Sequence, residues 1–291
     1  MPVGGIVPEG VLALAAAATV FTVMFTLGLG IAIAEFRWVL GRPALVARGL
    51  FAVLVAVPAI ALVVTRALDL PRMADIGIVL MAISPGAPVA LRRSLDAGGH
   101  RAFAPALQIM VALLAVVSMP LCIAALNVVY DGAASIAPAR LAQQVFVAQL
   151  LPLALGMALR HFAAARAAPM EVVLNRIAKW LLIALVALAL IDASQAVIGA
   201  GLRIALAVAL VTAGALAVGH VLGAPAPATR TAVAITSAAR NPGLAFLVAT
   251  LNGAPPEVGR AVLSYLIVSA LTIVPYAWWR GRVVGATERS P

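Results

Sequence analysis

Apolar residues run along this chain in stretches of about twenty or more, separated by short connections that hold most of the Pro, Gly, Asp and Arg. Each stretch is near the roughly 20 residues that a helix needs to cross a bilayer. Nine can be drawn, at about 10–34, 43–66, 72–95, 101–126, 138–160, 169–192, 197–221, 228–251 and 257–280. The pattern predicts an all-α polytopic membrane protein of about nine transmembrane helices, forming a single transmembrane domain over residues 1–291. No linker long enough to separate two soluble domains is present.

Two of the nine stretches are broken near their middle. One reads Ser84-Pro85-Gly86-Ala87-Pro88 and the other Arg240-Asn241-Pro242-Gly243. Proline removes a backbone donor and clashes with the preceding turn, so a helix does not run straight through either motif. Ser84 before Pro85, and Asn241 before Pro242, have the form of an N-cap followed by proline at the first helical position. Each second half-helix would then begin near the midplane and aim a partial positive charge there, with Gly86 and Gly243 permitting close backbone approach. In hydrocarbon the freed carbonyls need partners, so such breaks belong inside protein or beside a wet cavity. The plainer alternative is a pair of kinks with no ligand role.

The halves match by spacing. Shifting the first four spans by about 157 residues lands them on the last four, and Pro85-Gly86 falls on Pro242-Gly243. An odd number of spans separates each pair, so the two copies would point in opposite directions. That predicts inverted repeats over 10–126 and 169–280, joined by a connector helix at 138–160, with two discontinuous helices crossing at the centre. Regular span lengths that coincide by chance are the competing account.

Composition supports the membrane reading. Hydrophobic residues make up 64% of the chain and charged residues 10%, with a mean hydropathy of +1.13, which no ordinary soluble domain matches. A lone cysteine, Cys122, excludes a disulfide framework and a Cys-based metal site. The net charge of +10 does not indicate nucleic acid, because the basic residues fall in the connections and no basic face interleaved with aromatics appears. Their distribution sets orientation instead. Arg37, Arg42, Arg48, Arg92, Arg93, Arg101, Arg160, Arg166, Arg176, Lys179, Arg230, Arg280, Arg282 and Arg289 fall on one side, against Arg66, Arg72, Arg140, Arg203 and Arg260 on the other. The positive-inside bias places the first side in the cytoplasm, the N-terminus outside and the C-terminus inside, in an inner (plasma) membrane. The start lacks a basic n-region and is read as a retained first span.

Arg240 alone is charged deep in the bilayer, roughly 15 Å from either end of its span. The acidic residues (Glu9, Glu35, Asp69, Asp75, Asp96, Asp131, Glu171, Asp192, Glu257 and Glu288) lie near span ends or in connections. With no acid at its depth and two half-helix N-termini adding positive potential, Arg240 calls for a bound anion; the alternative is that it bonds freed carbonyls and serves structure alone. Gln108, Thr236 and Ser237 lie near the presumed centre and could line a cavity. Asn127 and the Gln143, Gln144, Gln149 cluster are further intramembrane polar groups. His100, His161 and His220 sit at span ends, where anchoring is expected. No nucleophile elbow, HExxH or phosphate loop occurs, so no enzyme, metal or cofactor is expected.

The run Met24-Phe25-Thr26-Leu27-Gly28-Leu29, the segment ISPGAPVAL (83–91) and the segment RTAVAITSAARNPGLAFLVA (230–249) resemble the bile acid:sodium symporter family. The likeness extends over essentially all nine spans. It implies inverted repeats, a panel domain and a core domain, and two discontinuous helices crossing in the core. The sodium chemistry does not carry over. Where the family's first crossing helix typically reads PGGTASN, this chain has Pro85-Gly86-Ala87-Pro88-Val89-Ala90-Leu91, so the Ser and Asn ligands become Ala90 and Leu91. Hydroxyl ligands of the next span become Gln108 and apolar residues around Val111 and Ala112. The Glu and Gln of the second crossing helix become Thr236 and Arg240. Sodium wants several hard oxygens and usually a carboxylate; here a cation stands in their place.

The expectation is a secondary transporter of a small organic anion, working by alternating access in the lipid bilayer, not coupled to sodium through the family's usual sites and with its coupling ion left open. Arg240 would attract the anion, Asn241 and Ser84 would cap the half-helices, and Gln108, Thr236 and Ser237 would add hydrogen bonds. A non-transporting membrane sensor or scaffold of the same fold is the alternative.

Overall fold

A computed structural model describes residues 9–30, 38–86, 88–129, 136–197 and 201–287. The far end of the first expected span (31–34), Glu35, Arg37, Ala87, Asp131, Glu288 and Arg289 lie outside them, as do the side chains of Glu9 and Asp192. Eleven helices can be delimited among the described residues: α1 Glu9–Gly30, α2 Pro43–Ala67, α3 Arg72–Ile83, α4 Pro88–Asp96, α5 Phe103–Val129, α6 Pro138–Phe162, α7 Ala164–Val197, α8 Gly201–Leu222, α9 Pro227–Ala238, α10 Pro242–Leu251 and α11 Pro256–Thr287. Proline stands in the first turn of α2, α6, α9 and α10, where its missing N–H would have no helical partner anyway.

Among the described residues, seven stretches are long and apolar enough to cross a membrane: α1, α2, α5, α6, α8, the α9–α10 pair taken together, and α11. The expected spans at 72–95 and 169–192 are not among them, so the count of nine is not reached on this criterion. The first consists of two short helices with Arg92, Arg93 and Asp96 in α4. The second, α7, carries Glu171, Arg176 and Lys179.

Both discontinuous helices are present. α3 stops at Ile83 and α4 resumes at Pro88; α9 stops at Ala238 and α10 resumes at Pro242. Two of the other helices are distorted rather than broken. A π turn spans Ala52–Ala56 in α2 and another spans Phe146–Leu150 in α6, and each is followed within two residues by a proline, Pro58 and Pro152. Single π turns of this kind recur at functional sites.

α1 packs most extensively on α6 and α7. Its nearest approach to α6 is at Gly28 and Gly156, where a Cβ on Gly156 would overlap the Phe25 carbonyl oxygen and one on Gly28 the Leu153 carbonyl oxygen. Two helices meet backbone to backbone there because neither carries a side chain, the usual device for helix contact in lipid, where no hydrophobic drive brings apolar faces together. On the other side α8 packs on α9 and α11, α3 on α11, and α4 on α9. The α9–α10 pair sits inside this group. Residues 231–249 are buried without exception, whereas the other apolar stretches bury only 28–39% of their central windows. A break at membrane depth is tolerated where protein surrounds it, and the second break has that surrounding on every side.

Candidate functional site

The two breaks touch. The backbone N–H of Asn241 donates to the Ser84 carbonyl at 3.0 Å, so an orphan donor from one interrupted helix satisfies an orphan acceptor from the other. The loose ends left by two prolines thus become the joint that holds the crossing together.

Asn241 caps α10 as expected, its Oδ1 accepting from the Leu244 N–H at 3.1 Å. Ser84 does not cap α4, and the expectation is corrected. Its hydroxyl donates back to the Leu80 carbonyl at 2.7 Å, and α4 begins only at Pro88. The reason is the spacing of the two prolines. Pro88, not Pro85, takes the first-turn position, which leaves Ser84 to close the end of α3. Gly86 lies between them with φ at +87°, a left-handed conformation that glycine adopts freely.

Three environments surround the joint. Gly86 faces α5 and α6: a Cβ there would lie 3.6 Å from Gln108 Nε2, 3.7 Å from Gln149 Nε2 and 3.8 Å from Ala112 Cβ. Gln149, in the π turn of α6, donates to the Ala112 carbonyl at 3.0 Å. Gln108 is fully buried, and neither of its amide heavy atoms has a hydrogen-bond partner among the described residues. Gly243 faces α1, where its Cβ would meet Val20 Cγ2 at 3.0 Å and Thr19 Cγ2 at 3.9 Å. Arg240 turns toward α2, α8 and α11.

Arg240 is 4% exposed. Its Nη1 and Nη2 both donate to the Val53 carbonyl at 3.1 Å. The Tyr265 hydroxyl lies beside the guanidinium and near Thr212, close enough to interact electrostatically but without the distance and angle of a formed hydrogen bond. Among the described residues Arg240 Nε has no hydrogen-bond partner, nor have Asn241 Nδ2 and Ser237 Oγ. No carboxylate pairs with Arg240 among the described residues. A guanidinium has five N–H donors, so the group is anchored by two and retains donors for more.

Ser84, Gly86, Gln108, Thr236, Ser237, Arg240, Asn241 and Gly243 are therefore all buried at or beside the crossing, but they do not converge on one spot. Ser84 joins Asn241, Gly86 joins Gln108, and Arg240 has a different set of neighbours. Sequence reasoning missed Val53, Tyr265 and Thr212 as the surroundings of Arg240. Val53 contributes a carbonyl, which every residue has, and the one available signal was Pro58 five residues on. Gln149 was visible as a polar residue in an apolar stretch, but nothing in the chain order places it against Gly86.

A family model described as the Sodium Bile acid symporter family matches residues 17–201. The match takes in α1 to α7 and with them the first break, and ends as α8 begins. No curated protein matches the chain.

Proposed function

Because the chain belongs to the Sodium Bile acid symporter family, a family of transporters and not of enzymes, we propose that it carries a small or amphipathic organic anion by alternating access around the crossing of α3–α4 and α9–α10. Inverted repeats over 10–126 and 169–280 would supply the two states, and the basic side of the chain would face the cytoplasm of an inner membrane.

The observation that carries the reading is Arg240. It is a buried charge at the crossing, held by a backbone carbonyl and unpaired by any described acid. Its guanidinium sits on a backbone carbonyl of the distorted helix α2, so a positive charge of the kind that sodium brings to other family members is built into this chain beside the crossing. Ala90 and Leu91 add nothing that binds sodium. Asn241 and Ser237, one residue after Arg240 in the chain and three before it, offer unpartnered hydrogen-bonding groups, and Gln108 offers them near Gly86. Anion transport without sodium follows.

The test is uptake into proteoliposomes holding the purified full chain. Taurocholate and smaller carboxylates serve as probes, with sodium and proton gradients imposed separately. Uptake that is indifferent to sodium and lost in Arg240→Ala is expected. Strong sodium dependence, or full activity in Arg240→Ala, would overturn the reading, and binding without flux would favour a sensor.

A further inference from the structure

The carbonyl that holds Arg240 is free for a reason traceable to one residue. In a regular α-helix the Val53 carbonyl accepts from the N–H four residues on, at Val57. In α2 that N–H is already taken, because Val57 donates to Ala52, five residues back, and so closes the π turn. The next donor along the helix would be residue 58, and Pro58 has no N–H. Val53 has thus lost both donors its own helix could offer. Its position is fully buried, and an unsatisfied carbonyl there is costly. The two terminal nitrogens of Arg240 fill the gap.

We propose that Pro58 is a positioning residue for Arg240: by withholding an N–H from the Val53 carbonyl, it reserves that oxygen for a cation and fixes the guanidinium beside the crossing. The chain then needs two features to carry its own charge there. Arg240 supplies the cation, and the π turn ended by Pro58 supplies the seat. The inference rests on the reading of Arg240 as the charged element of the crossing, but its test does not depend on transport. A failure to carry organic anions would overturn the proposed function and leave the seat standing.

A double-mutant cycle on the full chain in lipid nanodiscs tests it, read by thermal unfolding. Arg240→Leu leaves the Val53 carbonyl buried without a donor, and the melting temperature is expected to fall by about 5 °C. Pro58→Ala introduces an N–H next to that carbonyl. Alone, it competes with Arg240 and leaves the melting temperature unchanged or lowers it. In the Arg240→Leu background it supplies the missing donor and raises the melting temperature. This gain confined to the Arg240→Leu background is the signature, since a proline serving only to shape α2 would act alike in both backgrounds. Pro152→Ala, at the matching place after the π turn of α6, is the control and adds to Arg240→Leu without coupling. Should Arg240→Leu not fold, recovery of monodisperse protein in the double variant reports the same rescue. Additive losses, or a double variant less stable than Arg240→Leu, overturn the proposal.

Discussion

Asn241 donates its backbone N–H to the carbonyl of Ser84 at 3.0 Å, and this bond ties together two broken helices that lie half the chain apart. Each break removes helical hydrogen bonds among buried residues, where water does not replace them. Joining the breaks to each other recovers part of that loss and holds the end of α3 against the start of α10. Arg240 immediately precedes Asn241, so whatever fixes the joint also fixes the root of the buried charge.

The cap on α10 can be separated from the chemistry of Asn241. Asn241→Ala removes the oxygen that accepts from Leu244 and is expected to cost ~1 kcal/mol. Asn241→Asp keeps an accepting oxygen and the fold, but sets a negative charge beside Arg240. Unfolding in detergent should show the alanine variant as the less stable of the two. Uptake of an organic anion should be roughly tenfold weaker in the aspartate variant, and equal uptake by the two would refute the charge argument.

The two glycines of the breaks should respond differently to alanine. Gly86 has a left-handed backbone with room around it, its nearest neighbours standing at 3.6–3.8 Å. Gly86→Ala therefore costs backbone strain of about 1–2 kcal/mol. Gly243 has no such backbone demand and meets one methyl of Val20 at 3.0 Å, so Gly243→Ala asks only for a small shift of a side chain. Melting temperatures should drop for Gly86→Ala and stay close to the parent for Gly243→Ala. The reverse order would mean that the first break is not left-handed.

Gly28 and Gly156 hold α1 against α6. Adding a leucine at either position drives a side chain into the opposing backbone, which does not yield as a flexible side chain would. Gly156→Leu is expected to cost more than the roughly 1–3 kcal/mol of ordinary overpacking. Size-exclusion profiles would show loss of monodisperse protein, and a well-behaved Gly156→Leu would contradict the close approach.

Acid should loosen the connection before α5. His100 lies tilted against Trp38 with ring centroids 4.0 Å apart, and its Nδ1 accepts from the Phe103 N–H at 3.2 Å. That bond requires the neutral ring. Burial, and next the Arg42 guanidinium, lower its pKa below the ordinary imidazole value. Between that lowered value and about 6.5 the unfolded chain binds more protons than the folded one, so stability rises with pH across the window and falls as the solution is acidified through it. Melting temperatures recorded from pH 7.5 to 5 should show this fall in the parent and a flatter profile in His100→Gln.

The sequence by itself determined where the helices break and what charge stands at one of the breaks. Proline and glycine act on their own backbone, so their effects are written locally and survive any packing. Apolar length likewise announced a polytopic membrane protein, and Asn241 before Pro242 announced a cap that is present. What only the tertiary structure decided is which partner each freed group finds. Ser84 had the form of an N-cap and instead closes α3, because a second proline three residues after Pro85 takes the first turn of α4. Gln108 and Gln149 come from different helices to flank Gly86. Arg240 was legible as a charge in need of a partner, but its seat on Val53 was not. A backbone carbonyl has no sequence signature, and its freedom depends on a π turn and a proline in a helix far along the chain, brought alongside only by folding.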